Sequence, residues 1–302
     1  MHWQPGNHRR ARERVDCLHT NGGVPVMGWA TWRAGKRRRP LHVELRGTGE
    51  HTVVFLAGLG GTTRYWSPRL ASLPVRHRVA LVDLLGFGES PKPWTTYSVE
   101  RHVSELRDVL EPLGAISLVG HSLGALLAVA YAARYPHQIT NLTLIGMPLF
   151  GSQKRAYRYL RKGPVSGGLI YTNAVLTMIA CLITRRVLGW LLPRVIRSVP
   201  REVAEDLVKH TWRSSTSSLW KVVYRYDAAA DLTRLPPSMA VLLIHGDQDL
   251  MAPYKPIERL AAKHPRWRLW VARGVDHHPF LRQPDACLAQ IERQLVPKPV
   301  GR

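Results

Sequence analysis

Cysteine is scarce in this chain, which has only Cys17, Cys181 and Cys287 and no C-x-x-C pair. An odd, widely spaced set excludes a disulfide framework and a cysteine-rich zinc site, and it favours a reducing, cytoplasmic compartment. The first 20 residues lack the apolar segment of a secretory signal, so no Sec-type leader is expected. Zincin, P-loop and complete dinucleotide-binding glycine patterns are also missing, so the sequence implies neither a metal nor any other cofactor.

Acidic residues are the second scarcity, with 21 Asp and Glu against 43 Lys and Arg and a formal net charge of +22. Residues 1–46 carry ten basic and three acidic residues, and residues 147–213 carry twelve and three. No zinc finger, RRM, KH or helix-turn-helix pattern accompanies these clusters, so nucleic acid is not expected as a partner. Peripheral contact with an anionic membrane and plain solubility are both compatible with such charge.

Short apolar runs alternate with helical patterns along most of the 302 residues. Runs of this kind, buried on both faces, are typical of a parallel sheet covered by helices, so the sequence predicts an α/β fold with a doubly wound, mostly parallel sheet. The strands are expected at Val26–Arg33, Leu41–Arg46, Val53–Leu56, Val79–Val82, Ile116–Val119, Leu142–Ile145, Val241–Ile244 and Arg268–Val271. Helices are expected at 64–73, 98–112, 122–135, 254–264 and 280–295.

The alternation stops between about 147 and 235, a stretch far too long for a loop in a compact domain. The sequence therefore predicts a basic N-terminal arm at 1–24, a core formed by 25–146 and 236–302, and an inserted helical cap at 147–235. Within the insert, residues 163–184 carry no charged side chain. Glycine, proline and polar residues make this segment weak as a membrane span, and a buried or interfacial cap helix is the favoured interpretation.

The segment Gly120-His121-Ser122-Leu123-Gly124 matches the pattern G-x-S-x-G. It follows an apolar strand and opens an apolar helix, which is the strand–turn–helix setting that a nucleophile elbow requires. The two glycines let the strand and the helix approach each other, while the serine hydroxyl stands at a helix N-terminus that favours negative charge. Because a serine hydroxyl is a poor nucleophile at neutral pH, it needs an imidazole as base and a carboxylate to orient that imidazole.

With this elbow the chain resembles the α/β-hydrolase superfamily, in the branch of serine hydrolases that carry a cap domain. The resemblance runs from about Leu41 to Leu295, leaving out the insert. It implies Ser122 as nucleophile, an acid in Gly246-Asp247-Gln248-Asp249 and a histidine in Gly274-Val275-Asp276-His277, which Pro284 follows seven residues later. The family spacing favours Asp249 over Asp247 and His277 over His278.

The same resemblance implies an oxyanion hole formed by the backbone N–H groups of Leu59 and Leu123. Ala57 stands where related sequences usually carry histidine, which leaves open how the loop around Leu59 packs. Asp83 opens a segment similar to the family's D-x-x-G-x-G-x-S loop, and it is interpreted as a structural turn residue.

These features predict a serine esterase, lipase-like in character, that cleaves an ester or related acyl bond through an acyl-enzyme. An acyltransferase or carbon–carbon bond hydrolase on the same scaffold and a non-catalytic receptor remain alternatives, since fold alone does not choose among them. Apolar residues between Leu169 and Ile183 recur at helical spacing and are bracketed by basic ones. That pattern predicts an apolar, lipid-like substrate and an interfacial helix, while burial of these side chains in the core of the cap is the plain alternative.

Overall fold

The computed structural model describes residues 39–295, apart from 71–72, 74–75, 163–167, 187–188, 192–193, 195 and 197. The predicted arm at 1–24 and the predicted strand Val26–Arg33 lie outside the described residues. The described strands are β1 (Val43–Arg46), β2 (Thr52–Leu56), β3 (Arg78–Val82), β4 (Ile116–His121), β5 (Ile139–Ile145), β6 (Ala240–Gly246) and β7 (Arg268–Ala272).

In the described part of the chain these seven strands form one sheet in the order β1-β3-β2-β4-β5-β6-β7. β1 pairs with β3 in the antiparallel direction, and every other pair is parallel. The chain therefore moves outward from β2 to β3 and then returns to the other side of β2 with β4. Ligands of such sheets bind at this reversal, outside the carboxyl ends of the strands.

The described α-helices include several that flank this sheet and several that lie between β5 and β6. They are α1 (Val99–Leu110), α2 (Leu123–Arg134), α3 (Gln153–Lys162), α4 (Gly168–Thr172), α5 (Ala174–Arg186), α6 (Arg201–Asp206), α7 (Trp212–Ser218), α8 (Ala228–Leu232), α9 (Tyr254–Lys263), α10 (Pro279–Arg282) and α11 (Pro284–Leu295). A π-helical turn, Leu219–Val223, follows α7 directly.

Alternate residues of β2 face two different cores, as a doubly wound sheet requires. Val54 and Leu56 pack in one cluster with apolar residues of α1 and α2. Val53 and Phe55 pack in the other cluster, which includes Leu288 of α11. The predicted fold class is therefore confirmed.

Two helix predictions need correction. Residues 64–70, the described start of the segment 64–73, are not α-helical but form two 3₁₀ turns, Thr63–Tyr65 and Ser67–Arg69. Proline at position 68 supplies no N–H group, which favours so short a turn. The helix expected at 280–295 is two helices that meet at Gln283, whose extended φ of −135° fits the steric restriction on a residue before proline.

The segment between β5 and β6 consists largely of helices, from α3 to α8. Within the stretch considered as a membrane span, α4 and α5 are separate helices divided by Asn173, whose Oδ1 accepts hydrogen bonds from the N–H groups of Val175 and Leu176 at 3.0 and 3.2 Å. No helix in the described part of the chain is long and apolar enough to cross a membrane.

Ion pairs join α6 of this insert to the loop that follows β2. The buried Asp206 accepts a hydrogen bond from the Thr62 hydroxyl at 2.5 Å and pairs with Arg64 at 2.9 Å and Lys209 at 3.1 Å. Because the carboxylate is only 1% exposed, these partners are needed to hold its charge in the interior. They fix the insert next to the carboxyl end of β2.

Candidate active site

The turn between β4 and α2 holds Ser122 in a strained conformation. Its φ of +52° is the only positive value of a non-glycine residue in the part of the chain that the structure describes. A Cβ atom on Gly120 would lie 2.4 Å from the Gly124 carbonyl oxygen, and one on Gly124 would lie 2.3 Å from the Leu56 carbonyl oxygen. Both glycines of the motif are therefore required, and the strain, of about 1–3 kcal/mol, is stored at the serine.

Three side chains from different strand ends form one hydrogen-bonded chain. The Ser122 Oγ lies 2.9 Å from the His277 Nε2, and the His277 Nδ1 lies 2.7 Å from the Asp249 Oδ2. Ser122 follows β4, Asp249 follows β6 and His277 follows β7. In the arrangement that fits catalysis, the serine hydroxyl donates to Nε2 and the Nδ1–H group donates to the carboxylate.

Backbone groups hold the Asp249 carboxylate in place. Its Oδ1 accepts hydrogen bonds from the N–H groups of Met251 and Ala252, both at 2.8 Å. Burial alone raises the pKa of a carboxyl group, but the charge and hydrogen bond of His277 outweigh it, and the pKa of Asp249 lies below its ordinary value. The group is therefore ionised at neutral pH.

The two acidic residues of the turn after β6 differ in what they contact. The Asp247 carboxylate accepts a hydrogen bond from the Gly274 N–H at 2.7 Å and lies 3.6 Å from Arg273. The structure thus brings Asp249, and not Asp247, to His277.

The adjacent histidines differ in the same way. His278 donates its backbone N–H to Asp276, and its ring lies 3.4 Å from the Tyr65 hydroxyl. Burial, followed by the nearby His277, lowers the pKa of His278 to about 4. His277 is the histidine that contacts Ser122.

The turn after β2 passes directly beside the serine. A Cβ atom on Gly58 would lie 3.2 Å from the Ser122 Cβ and 2.9 Å from the His121 Nδ1, so the loop approaches this closely only with glycine. Leu59 comes next in this turn, and Leu123 is the first residue of α2. Their N–H groups remain the predicted oxyanion donors.

Aromatic residues fill the space behind this turn, where the sequence left the packing open. Ala57 is buried in a cluster that includes Tyr65, Trp66 and Phe280. The Tyr65 ring stacks on His121 with centroids 4.9 Å apart. The loop around Leu59 is thus supported without a histidine at position 57.

Sequence reasoning missed two buried histidines that support the hydrogen-bonded chain. His121 lies 2.9 Å from the carbonyl oxygen of His277 through its Nε2, and burial lowers the pKa of His121 well below its ordinary value, so the neutral ring donates this bond. His245 Nε2 lies 3.3 Å from the Asp249 Oδ2 and 3.1 Å from the Ala252 carbonyl oxygen. The sequence feature that could have indicated them is their place next to the site motifs, one residue before Ser122 and one before Gly246.

Asp83 has the structural position expected for it. Its carboxylate is buried and accepts hydrogen bonds from the N–H groups of Thr63 at 2.7 Å and Glu89 at 2.8 Å. Burial raises the pKa of Asp83 above its ordinary value. The residue closes the loop after β3 through these hydrogen bonds and through its carbonyl oxygen, which accepts from the Ser90 hydroxyl at 2.6 Å.

Comparison with known proteins supports the class that this fold and site define. The sequence profile of the α/β hydrolase fold family matches residues 51–284. An esterase from Thermogutta terrifontis has a TM-score of 0.64 and 22% identity, covering 84% of this chain and 92% of that one. A bromoperoxidase from Bacillus anthracis has a TM-score of 0.69 and 21% identity, covering 84% and 95%. The chain belongs to the α/β-hydrolase family.

Two relatives of similar identity illustrate what the sequence matches. The probable lysophospholipase BODYGUARD 4 of Arabidopsis thaliana is 27% identical over 249 residues, which cover 74% of this chain and 59% of that protein. An uncharacterized protein of Mycobacterium tuberculosis is 27% identical over 256 residues, covering 80% and 74%. The chain spans 52 to 59% of the length of three BODYGUARD relatives.

Proposed function

We propose that the protein is a serine hydrolase that cleaves an ester or related acyl bond of an apolar substrate. The observation that carries this proposal is the hydrogen-bonded chain from Ser122 through His277 to the ionised Asp249. The serine is only half-buried, so an acyl carbonyl can reach its Oγ.

In the proposed reaction His277 Nε2 accepts the Ser122 hydroxyl proton while Oγ attacks the carbonyl carbon. The resulting oxyanion accepts hydrogen bonds from the N–H groups of Leu59 and Leu123. The imidazolium then gives its proton to the departing alcohol oxygen, which leaves an acyl-enzyme. In the second half, His277 deprotonates a water molecule that attacks the acyl carbon, and the proton returns to Oγ as the acid departs.

Asp249 supports the proposed reaction electrostatically. The buried carboxylate faces the Nδ1 of His277, so its negative charge stabilises the imidazolium that forms during each half-reaction. It also fixes the tautomer in which Nε2 is free to accept the serine proton. His245 and His121 hold the carboxylate and the His277 backbone, respectively, through the contacts described above.

Side chains of the insert support the choice of an apolar substrate. Leu59 packs against a cluster in the insert that contains Phe150, Leu160 and Tyr224. The Tyr159 hydroxyl of α3 donates to the Asp249 carbonyl oxygen at 3.3 Å. The insert therefore contacts the turn after β2 and the backbone of Asp249 through apolar and aromatic groups, and in this proposal it acts as the cap over Ser122. The name lysophospholipase given to the BODYGUARD relatives is consistent with such a substrate.

Labelling with a fluorophosphonate probe, together with hydrolysis of p-nitrophenyl esters from acetyl to palmitoyl, tests this proposal. We expect labelling of the wild type, none of Ser122→Ala, and kcat/KM that rises from acetyl to medium or long chains. Failure of the folded wild type to label would favour a receptor. If the probe labels the protein but product forms only when an alcohol acceptor is added, the protein is better described as an acyltransferase. If the probe labels it and it cleaves a β-diketone but no ester, the result favours a carbon–carbon bond hydrolase.

A further inference from the structure

The exposed surface of α4 and α5 is unusually apolar. Leu169 is 65% exposed and Val175 is 59% exposed, and the neighbouring side chains on α5 are exposed as well. We call this surface the apolar face, and it consists of Leu169, Ile170, Val175, Leu176, Ile179, Leu182 and Ile183. Contiguous exposed apolar surface of this kind marks a site of interaction rather than an ordinary surface.

The helix α5 packs on the protein through its polar side. Thr177 is buried, and its hydroxyl donates to the Asn173 carbonyl oxygen at 3.0 Å. Cys181 and Thr184 are partly buried on the same side, and α5 packs against α7, a helix rich in serine. An amphipathic helix of a water-soluble domain normally turns its apolar side inward. The reversed orientation shows that the apolar face is not the core of the insert.

Positive charge surrounds the apolar face. Residues 151–200 contain nine Lys and Arg and no Asp or Glu. Arg185 and Arg186 end α5 and are exposed, and α3 carries the exposed Arg158 and Arg161. The Arg161 Nε donates to the Thr172 hydroxyl at 2.8 Å, which ties this charged helix to α4.

A basic cleft of about 380 Å³ adjoins the end of α5, with Arg185 and Arg186 in its wall. Trp94 in the same cleft is 76% exposed, and the Arg213 guanidinium lies 4.1 Å from the centroid of its ring. Lys92 completes the positive lining. An exposed tryptophan beside several cations suits a boundary between lipid headgroups and acyl chains.

We propose that the apolar face docks reversibly on an anionic lipid bilayer, with the surrounding Lys and Arg, including those of the cleft, contacting lipid phosphates. A second copy of the chain fits this surface poorly, because a symmetric contact would bring the two sets of positive charges together. An anionic bilayer supplies both the apolar phase and the opposite charge. The proposal does not depend on the reaction proposed above.

Co-sedimentation with vesicles tests this docking. We expect the wild type to pellet with phosphatidylcholine vesicles that contain phosphatidylglycerol, much less with phosphatidylcholine alone, and less at about 500 mM than at about 50 mM salt. Ser122→Ala should bind as the wild type does, which separates docking from catalysis. Equal binding to both vesicle types at both salt concentrations, or binding to neither, would overturn the proposal.

Two pairs of variants locate the surface. Arg185→Gln with Arg186→Gln should weaken binding about thirty-fold, since each basic residue near an anionic surface contributes about a fivefold factor. The matched control, Lys263→Gln with Arg266→Gln, removes two exposed charges on and after α9 and should change binding far less. Equal losses in the two variants would show that only the net charge matters and would refute docking through this face.

The apolar contribution is tested at two positions of α5. Ile179→Gln with Ile183→Gln should reduce binding strongly, whereas Ile179→Leu with Ile183→Leu should retain it, because only the first pair removes apolar surface. All four changes are at exposed positions, and circular dichroism melting verifies the fold. Sedimentation equilibrium without lipid tests self-association. A wild-type dimer that the Ile179→Gln and Ile183→Gln double variant no longer forms would overturn the proposal and assign the apolar face to a contact between two copies of the chain.

Discussion

Replacing Asp249 with asparagine perturbs the proposed triad with almost no change in shape. The Oδ1 position accepts two backbone N–H groups, so the asparagine oxygen must occupy it and the NH₂ group must take the place of Oδ2. That NH₂ group would then face the His277 Nδ1 across 2.7 Å. Two donors cannot share this contact, so the imidazole must place its proton on Nε2 and accept through Nδ1.

In that tautomer Nε2 cannot accept the Ser122 proton, and the charge that stabilises the imidazolium is also lost. We expect kcat to fall by about 10⁴, as in other triads whose acid becomes an amide. His245 would add to the effect, because its Nε2, 3.3 Å from Oδ2, would also face the new NH₂ group.

The assay is steady-state hydrolysis of the best ester, with active-site titration to correct for misfolded protein. Asp247→Asn is the matched control, because its oxygen can still accept from the Gly274 N–H, and we expect it to remain within about threefold of the wild type. Retention of a tenth of wild-type kcat by Asp249→Asn, or an equal loss in Asp247→Asn, would refute the assignment of the acid.

Three further outcomes follow from the described side chains. Ser122→Ala should lose about 10⁴ to 10⁶ in kcat with an unchanged melting temperature, measured by ester hydrolysis and calorimetry. His277→Ala should match that loss in the same assay, while His278→Ala should stay within about tenfold of the wild type, since its ring contacts Tyr65 and not the serine. Burial lowers the pKa of His102 from 6.5 to about 3 and the pKa of His210 from 6.5 to about 4. Between pH 6.5 and 4 the unfolded chain therefore binds more protons than the folded one. The free energy of unfolding, measured with urea, should therefore fall by up to about 1.4 kcal/mol per pH unit for each of these histidines between pH 6.5 and 4; a flat profile would contradict their burial as neutral rings.

The strands were predictable because buried β-strands leave a direct trace in sequence. β2, β4 and β6 are mostly apolar runs that have glycine near or just after their carboxyl ends. The 3₁₀ turns at 63–69 were not predictable from apolar spacing alone, because proline at position 68 changes the backbone geometry and not the pattern of apolar residues.

Within the candidate site, too, residues fixed by a local motif were predictable and residues fixed by tertiary contacts were not. Ser122 was identifiable because its motif is local and its glycines are dictated by steric contact. Local sequence could not separate Asp249 from Asp247, because the direction of each side chain depends on the turn after β6, which is held by the hydrogen bond from the Gln248 N–H to the Val275 carbonyl oxygen. The choice therefore rested on the spacing found in related proteins.

The orientation of α5 shows a second limit of sequence patterns. Helical spacing places Leu176, Ile179 and Ile183 on one side and Thr177 and Cys181 on another, but it does not say which side meets the protein. The rule that apolar sides turn inward fails here: α5 packs against α7, and the side of α5 that meets the protein carries the buried Thr177, whose hydroxyl donates to the Asn173 carbonyl oxygen. Leaving leucine and isoleucine side chains in water forgoes about 25 cal/mol for each Å² that could have been buried. In the docking that we propose, the bilayer interior recovers that free energy, and the positive charges around the face favour a bilayer whose surface is anionic.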